Sequence, residues 1–245
     1  RAGRGVRIRI LILWRDIMLK MRKGCTVPFP EKLEEGYTEA EHRIVANVSA
    51  DKIAAVMEHF ICTRREPIFF ILELPAKREA ESEVRTGETE HFHKDIYYID
   101  GCTADVASDI LAEIGEIAIN DGLCVFGFGG HDTNDEIMFA KYNVMTVYSP
   151  DIADFDGFFE AHGIPKKDSL ITAWDTFSPD HAGKCERVIT DGHDAYSIPS
   201  LLAAWGIYLA ERRDGTRKYG RSPRAFKPDI RAHGKSGNGG SVLIE

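Results

Sequence analysis

Two amphipathic helical segments, separated by short apolar runs typical of strands, constrain the fold of this chain most strongly. Apolar residues recur at helical spacing in both: Ile53, Val56, Met57, Phe60 and Ile61 in the first, and Val106, Ile110, Ile114 and Ile117 in the second. Each set lies along one side of a helix and predicts a buried face. Thr103 is the expected N-cap of the second helix, and Asn120-Asp121-Gly122 is its expected end.

Strand-like runs alternate with these helices. We predict strands at residues 43–48, 68–72, 96–99, 123–128, 137–148, 170–177 and 186–189. Two further helices are predicted, one from Ser149-Pro150 to Gly163 and one from Ser197 to Leu209. Because hairpins separate the helices, the pattern predicts an α+β fold whose sheet is mixed or mainly antiparallel, with helices packed on one face.

Charge divides the chain into three parts. Residues 1–21 contain 6 basic residues (Lys and Arg) and 1 acidic residue (Asp and Glu). Residues 22–211 contain 16 basic and 35 acidic residues, and residues 212–245 contain 9 basic and 3 acidic residues. The formal net charge of −8 therefore combines segments of +5, −19 and +6. We predict an acidic globular domain at 22–211, followed by a disordered, basic, glycine-rich tail.

The N-terminal segment 1–21 is basic, and we expect the natural start at Met18 or Met21. In residues 6–10 of this segment, apolar and basic residues alternate, which predicts an edge strand. The five cysteines show no C-x-x-C spacing and are odd in number, so reduced thiols in a cytoplasmic protein are expected. The chain has no apolar run of the roughly 20 residues that a membrane span needs.

The most unusual stretch runs from Asp95 to Ala140 and contains ten acidic residues without one Lys or Arg. At about 100° per residue, four of the acids fall in one strip of the second helix, opposite its apolar side: Asp105, Asp109, Glu113 and Glu116. Like charges at this spacing cost a helix roughly 0.2–0.5 kcal/mol per pair. This strip has two interpretations: it is either a solvated helix face or a face that binds a basic partner.

We favour the binding interpretation, with a basic protein, such as a toxin, as the partner. The expected partner-binding residues are the four helix acids together with Asp132, Asp135 and Glu136 in the following turn, with Tyr97, Phe126 and Phe128 as aromatic anchors. In size, acidity and α+β character the chain resembles the immunity or antitoxin partners of bacterial toxins. That resemblance implies a non-catalytic protein without a cofactor. A globular domain with a net charge of −19 would repel the phosphates of nucleic acid, so no nucleic-acid binding is expected.

A metal-dependent hydrolase is the alternative. His91, His93 and Asp95 have the spacing of metal ligands on a strand, and His131 would complete the set. The first three resemble the H-x-H-x-D-H motif of metallo-β-lactamase-fold hydrolases, and this chain has Ile96 where that motif has its final histidine. Bound water would then act as the nucleophile.

Overall fold

The structure is a computed structural model that describes residues 18–76 and 91–216, with side chains in the second range from 94 to 212. Ten strands lie in these ranges: β1 (Cys25–Thr26), β2 (Gly36–Ala40), β3 (Arg43–Asn47), β4 (Ile68–Pro75), β5 (His91–Cys102), β6 (Val125–Gly130), β7 (Glu136–Phe139), β8 (Val144–Tyr148), β9 (Lys184–Cys185) and β10 (Tyr208–Thr216). The α-helices are α1 (Ile53–Thr63), α2 (Ala104–Asn120), α3 (Phe158–Ala161) and α4 (Ile198–Leu201).

Eight strands form one sheet in the order β10-β5-β4-β6-β7-β8-β3-β2, and every neighbouring pair is antiparallel. Strands β1 and β9 form a separate two-stranded sheet. Helices α1 and α2 bury their apolar sides in the main core with one face of the large sheet. The predicted α+β class and the packing of helices on one face are confirmed.

Side chains alternate between the two faces of the sheet. Phe70, Phe128 and Ile137 point to the helices and are fully buried. The opposite side, which we call the far face, holds a smaller apolar cluster around Ile71 and Met138. Residues of even number in β7, including Glu136, therefore belong to the far face.

Both long helices lie where the sequence predicts them. Thr103 caps α2 by accepting a hydrogen bond from the Val106 amide at 3.3 Å. The last turn of α2 ends with the Asp121 amide bonded to the Ile117 carbonyl. With 17 residues and four exposed carboxylates, α2 is the longest helix described, and none of the described helices could span a bilayer.

The predicted single strand at 137–148 is wrong, because a turn divides it into β7 and β8. Tyr142 and Asn143 take left-handed backbone angles, with φ of 59° and 62°. The Asn143 side chain accepts from the Arg22 amide and donates to the carbonyls of Lys20 and Val48. These contacts to distant parts of the chain hold a conformation that β-rich local sequence does not favour.

Three other elements differ from prediction. Gly157, at φ 70°, divides the expected helix at 149–163 into a 3-10 turn at Ile152–Phe155 and α3. The expected strand at 170–177 contains instead a 3-10 turn, Ala173–Thr176, with a capping box between Thr172 and Asp175. The strand predicted at 186–189 is replaced by the short β9 just before it.

The C-terminal helix predicted to reach Leu209 is also shorter than expected. It ends in a 3-10 turn at Leu202–Trp205, after which Gly206 has φ 81°. The chain then enters β10, which pairs with β5 as far as Thr216. Regular structure thus continues beyond residue 211, where we expected the globular domain to end. The rest of the predicted tail, the predicted strand at 6–10 and residues 77–90 lie outside the described residues.

Candidate functional site

Helix α2 presents its acidic strip to solvent as its spacing predicts. Ile110 and Ile114 are fully buried and Ile117 nearly so. On the opposite side the strip is exposed at every acidic position: Asp105, Asp109, Glu113 and Glu116. We call these four residues the acidic strip.

The carboxylates of the acidic strip form no ion pair with any described residue. Glu116 accepts a hydrogen bond from the Asn120 side chain at 2.9 Å, which involves no opposite charge. Two further acids lie next to the helix: Glu58 accepts from Ser108 at 2.7 Å, and Glu66 accepts from the Ala104 amide at 2.7 Å. Neighbouring groups therefore add to the negative charge around α2.

Some acidic residues elsewhere in the described chain form ion pairs, whereas the strip groups four unpaired carboxylates along one helix. Glu35 binds Lys52 at 2.5 Å, and Asp51 binds Lys20 at 2.6 Å. Similar pairs join Glu39 to Lys166 and Glu73 to Lys94.

The turn after β6 meets the N-terminal end of α2. The Nε2 atom of His131 lies 3.4 Å from the Asp100 carboxylate and 3.4 Å from the Gly101 amide nitrogen, just before the Thr103 cap. Asp132, the next residue, is exposed. Of the three predicted turn acids, Asp132 is the one that lies beside the helix with its carboxylate free to face solvent.

Asp135 has a structural position instead. Its side chain is 3 % exposed, and Arg64, itself 4 % exposed, binds it at 2.8 Å. It also accepts hydrogen bonds from the Gly130 amide and the Thr133 hydroxyl. The charge of Asp135 is therefore compensated inside the protein, and we leave it out of the candidate surface.

Glu136 lies on the far face of the sheet, away from the acidic strip. Burial, with a smaller contribution from the negative charge of Glu73, raises the pKa of Glu136 to about 7. No described residue forms a salt bridge with it. This residue is likewise not part of one surface with α2.

Glu136→Gln is expected to remove a pH-dependent cost to stability. The pKa of the carboxyl is higher in the folded protein than in the unfolded chain. Below about pH 4.5 the carboxyl is protonated in both states and does not affect stability, whereas the free energy of unfolding falls as the pH rises from there to about 7. The variant should match wild type at pH 4 and exceed its free energy of unfolding by about 3 kcal/mol at pH 8. Urea denaturation at both pH values measures this difference. An equal difference at both would contradict the titration.

The four residues of the metal-site alternative do not lie together. Asp95 is buried and bound by Arg212 through two contacts of 2.6 and 3.0 Å. His131 contacts Gly101, which is ten residues along β5 from His91, a span of roughly 30 Å. No cluster of three candidate metal ligands occurs among the described residues. The geometry thus separates His131 from the other three positions.

The proposed aromatic anchors also have other roles. Phe126 and Phe128 are fully buried on the helix face of the sheet, so neither can contact a partner. Tyr97 is half-buried against the same core. The acidic turn from Asp191 to Asp194 also has a structural role, since Asp194 caps the 3-10 turn Ala195–Ser197 and pairs with Arg187 at 3.1 Å.

Sequence reasoning missed two groups near the N-terminal end of the described chain. Arg22 is 1 % exposed and donates to the carbonyls of Ala118 and Cys124, although nothing in the local sequence distinguishes it from a surface cation. Cys25 and Cys185 are 160 positions apart in the sequence, yet their Sγ atoms lie 3.4 Å apart. Only the folded chain brings either set together. Comparisons of this chain with protein-family models, curated proteins and solved structures found no match.

Proposed function

We propose that this chain is a non-catalytic binding protein that presents the acidic strip of α2 to a basic protein partner. The observation that carries the proposal is the row of four exposed carboxylates without an ion-pair partner among the described residues. Asp132 extends the charged surface at one end of the helix and Glu58 extends it along the side.

The energetic argument concerns the cost of this arrangement. Asp105 and Asp109, and Asp109 and Glu113, are like charges at i, i+4, and each pair destabilises the helix by roughly 0.2–0.5 kcal/mol. Such a row of charge increases the rate at which an oppositely charged protein associates and orients its approach. A basic patch on the partner would both relieve the repulsion and supply the missing pairs.

The kind of partner follows from the class of protein that the chain resembles. An enzyme that acts on nucleic acid needs a basic surface, and an acidic helix can occupy that surface in place of the phosphates. A toxin of this kind, neutralised by this chain in the cytoplasm, is the partner that we propose.

We expect neutralisation of the acidic strip to weaken binding and to stabilise the protein at the same time. The variant Asp105→Asn, Asp109→Asn, Glu113→Gln, Glu116→Gln should bind poly-L-lysine roughly 10–100-fold more weakly at low salt, because the local field is lost. Its free energy of unfolding should rise by about 0.5–1 kcal/mol, because repulsion along α2 is relieved. Titration calorimetry and urea denaturation measure the two effects.

A matched control removes four charges elsewhere. Glu31, Asp156, Asp168 and Asp180 are exposed and form no ion pair with a described residue. Their neutralisation changes the net charge by the same amount, so it should leave most of the binding intact. If both variants lose affinity equally, the binding reflects net charge and the proposed surface is wrong.

Capture from cells of the source organism then tests the partner class. A basic protein retained by wild type and by the control variant, but released by the strip variant and by about 0.5 M salt, is the expected result. Equal capture by all three proteins would contradict the proposal.

A further inference from the structure

We propose that Cys25 and Cys185 form a peroxide-sensitive thiol pair, in which hydrogen peroxide converts the two thiols to a disulfide that joins β1 to β9. This inference is independent of the acidic strip and of the proposed binding function. It concerns the opposite end of α2, where the N-terminal segment of the described chain meets residues 184–188.

The geometry of the pair already approaches that of a disulfide. The two Sγ atoms lie 3.4 Å apart, and the two residues are directly opposite each other in the β1–β9 pairing. The adjacent pair is hydrogen-bonded, since the Glu186 amide donates to the Gly24 carbonyl at 2.8 Å. Cys25 and Cys185 are thus a non-hydrogen-bonded pair, whose Cα atoms typically lie about 4.5 Å apart. That separation falls within the range that disulfides tolerate.

The backbone around the pair is held closely in place. Gly24 donates to the Asn120 carbonyl at 2.8 Å, and Gly122 donates to the Glu186 carbonyl at 3.0 Å. A Cβ on Gly24 would lie 2.2 Å from the Gly122 nitrogen, so the two backbone segments are in close contact at this point. The thiols remain facing each other, and formation of the bond requires little more than rotation of the two side chains.

The surroundings favour a thiolate at Cys185. The contact with Cys25 lowers the pKa of Cys185, and Tyr142, Lys141 and Arg22 act in the same direction. The same contact and burial raise the pKa of Cys25, which therefore keeps its proton. Cys185 is also the more exposed member of the pair, so a small oxidant reaches it first.

The other three cysteines lack this combination. Burial raises the pKa of Cys102 to about 11 and that of Cys124 to about 12, and both side chains are buried. Cys62 is exposed, but partial desolvation and the charge of Glu58 raise its pKa. Cys62 is therefore a control for exposure without activation.

The reaction balances with hydrogen peroxide as the oxidant. The Cys185 thiolate attacks one peroxide oxygen, the O–O bond breaks, and a sulfenic acid forms as hydroxide leaves. The hydroxide takes the proton of Cys25. The Cys25 thiolate then attacks the Cys185 sulfur, the S–O bond breaks, and the second oxygen leaves as hydroxide. Two electrons pass from the two sulfurs to one molecule of peroxide.

The test exposes the full-length reduced chain to one equivalent of hydrogen peroxide at pH 7, followed by alkylation and mass spectrometry. The expected product is a peptide pair that links Cys25 to Cys185, with loss of two free thiols per chain. Alkylation rates before oxidation should show Cys185 reacting roughly tenfold or more faster than Cys62. Oxidation that begins at Cys62, or a reaction that leaves Cys25 and Cys185 reduced, would overturn the proposal.

Variants separate the two steps. Cys25→Ser should retain the sulfenic acid at Cys185, detected as a dimedone adduct, while Cys185→Ser should form neither the adduct at Cys25 nor the disulfide. Cys62→Ser should behave as wild type. Circular dichroism of each reduced variant confirms that it is folded, and the wild-type peptide map decides the question even if a variant does not fold. A disulfide between any other two cysteines counts against the proposal.

Discussion

Arg22→Met is expected to lower the free energy of unfolding by about 3–5 kcal/mol. The Arg22 guanidinium donates to the carbonyls of Ala118 at 2.5 Å and Cys124 at 3.0 Å, and it lies 4.6 Å from the centre of the Phe139 ring. Methionine retains part of the apolar stem but leaves these buried carbonyls without a donor. The cost of unsatisfied buried acceptors is therefore added to the lost ring contact.

Urea denaturation at pH 7 measures the effect of Arg22→Met. The matched control is Lys23→Met, because Lys23 is the adjacent residue and is exposed. It should change the free energy of unfolding by less than about 0.5 kcal/mol. A loss below about 1 kcal/mol in Arg22→Met would mean that water replaces the guanidinium as the donor to these carbonyls, and it would contradict the structural role assigned to Arg22.

Arg64→Met should be similarly destabilising, by about 3–4 kcal/mol. Arg64 follows α1 and connects three segments through Asp135, Asp154 and Ser149. Its removal leaves the Asp135 carboxylate buried without a compensating cation. Thermal or urea unfolding gives the magnitude.

A double-mutant cycle distinguishes this ion pair from simple loss of packing. Asp135→Asn alone is expected to destabilise the protein, but the double variant should lose about 1–3 kcal/mol less than the sum of the single variants. Arg65→Met serves as the control, since Arg65 is exposed. Strict additivity would show that Arg64 and Asp135 do not interact in solution.

The long helices could be predicted from sequence because their information is local. The apolar period of α2 and its Thr103 cap lie within the helix itself. The break between β7 and β8 could not be predicted, because Asn143 is held by Lys20 and Val48, which are far away in sequence. β10 was not predicted for another reason. It lies at the edge of the sheet, where charged residues are tolerated, and the same charged residues are typical of a solvated tail.

The same distinction applies to the candidate site. Exposure of the acidic strip follows from helical spacing alone, as do the buried positions opposite it. Whether an acid meets a base depends on the fold, and Asp135 finds Arg64 across 71 positions of sequence. The pairing of Cys25 with Cys185 is equally non-local. Sequence thus predicts which charges face solvent from a helix, but not which charges in turns are neutralised.

The strand order sets a sequence of events for a chain that emerges from the ribosome. Strands β4 to β8 come from one continuous stretch and form the middle of the sheet. The β2–β3 hairpin is made earlier, but its sheet neighbour β8 ends about 100 residues later, a delay of roughly 5–20 s at ordinary rates of synthesis. During that interval the edge of β3 is unpaired. The nascent chain is therefore most open to wrong strand pairing between the synthesis of Asn47 and that of Tyr148.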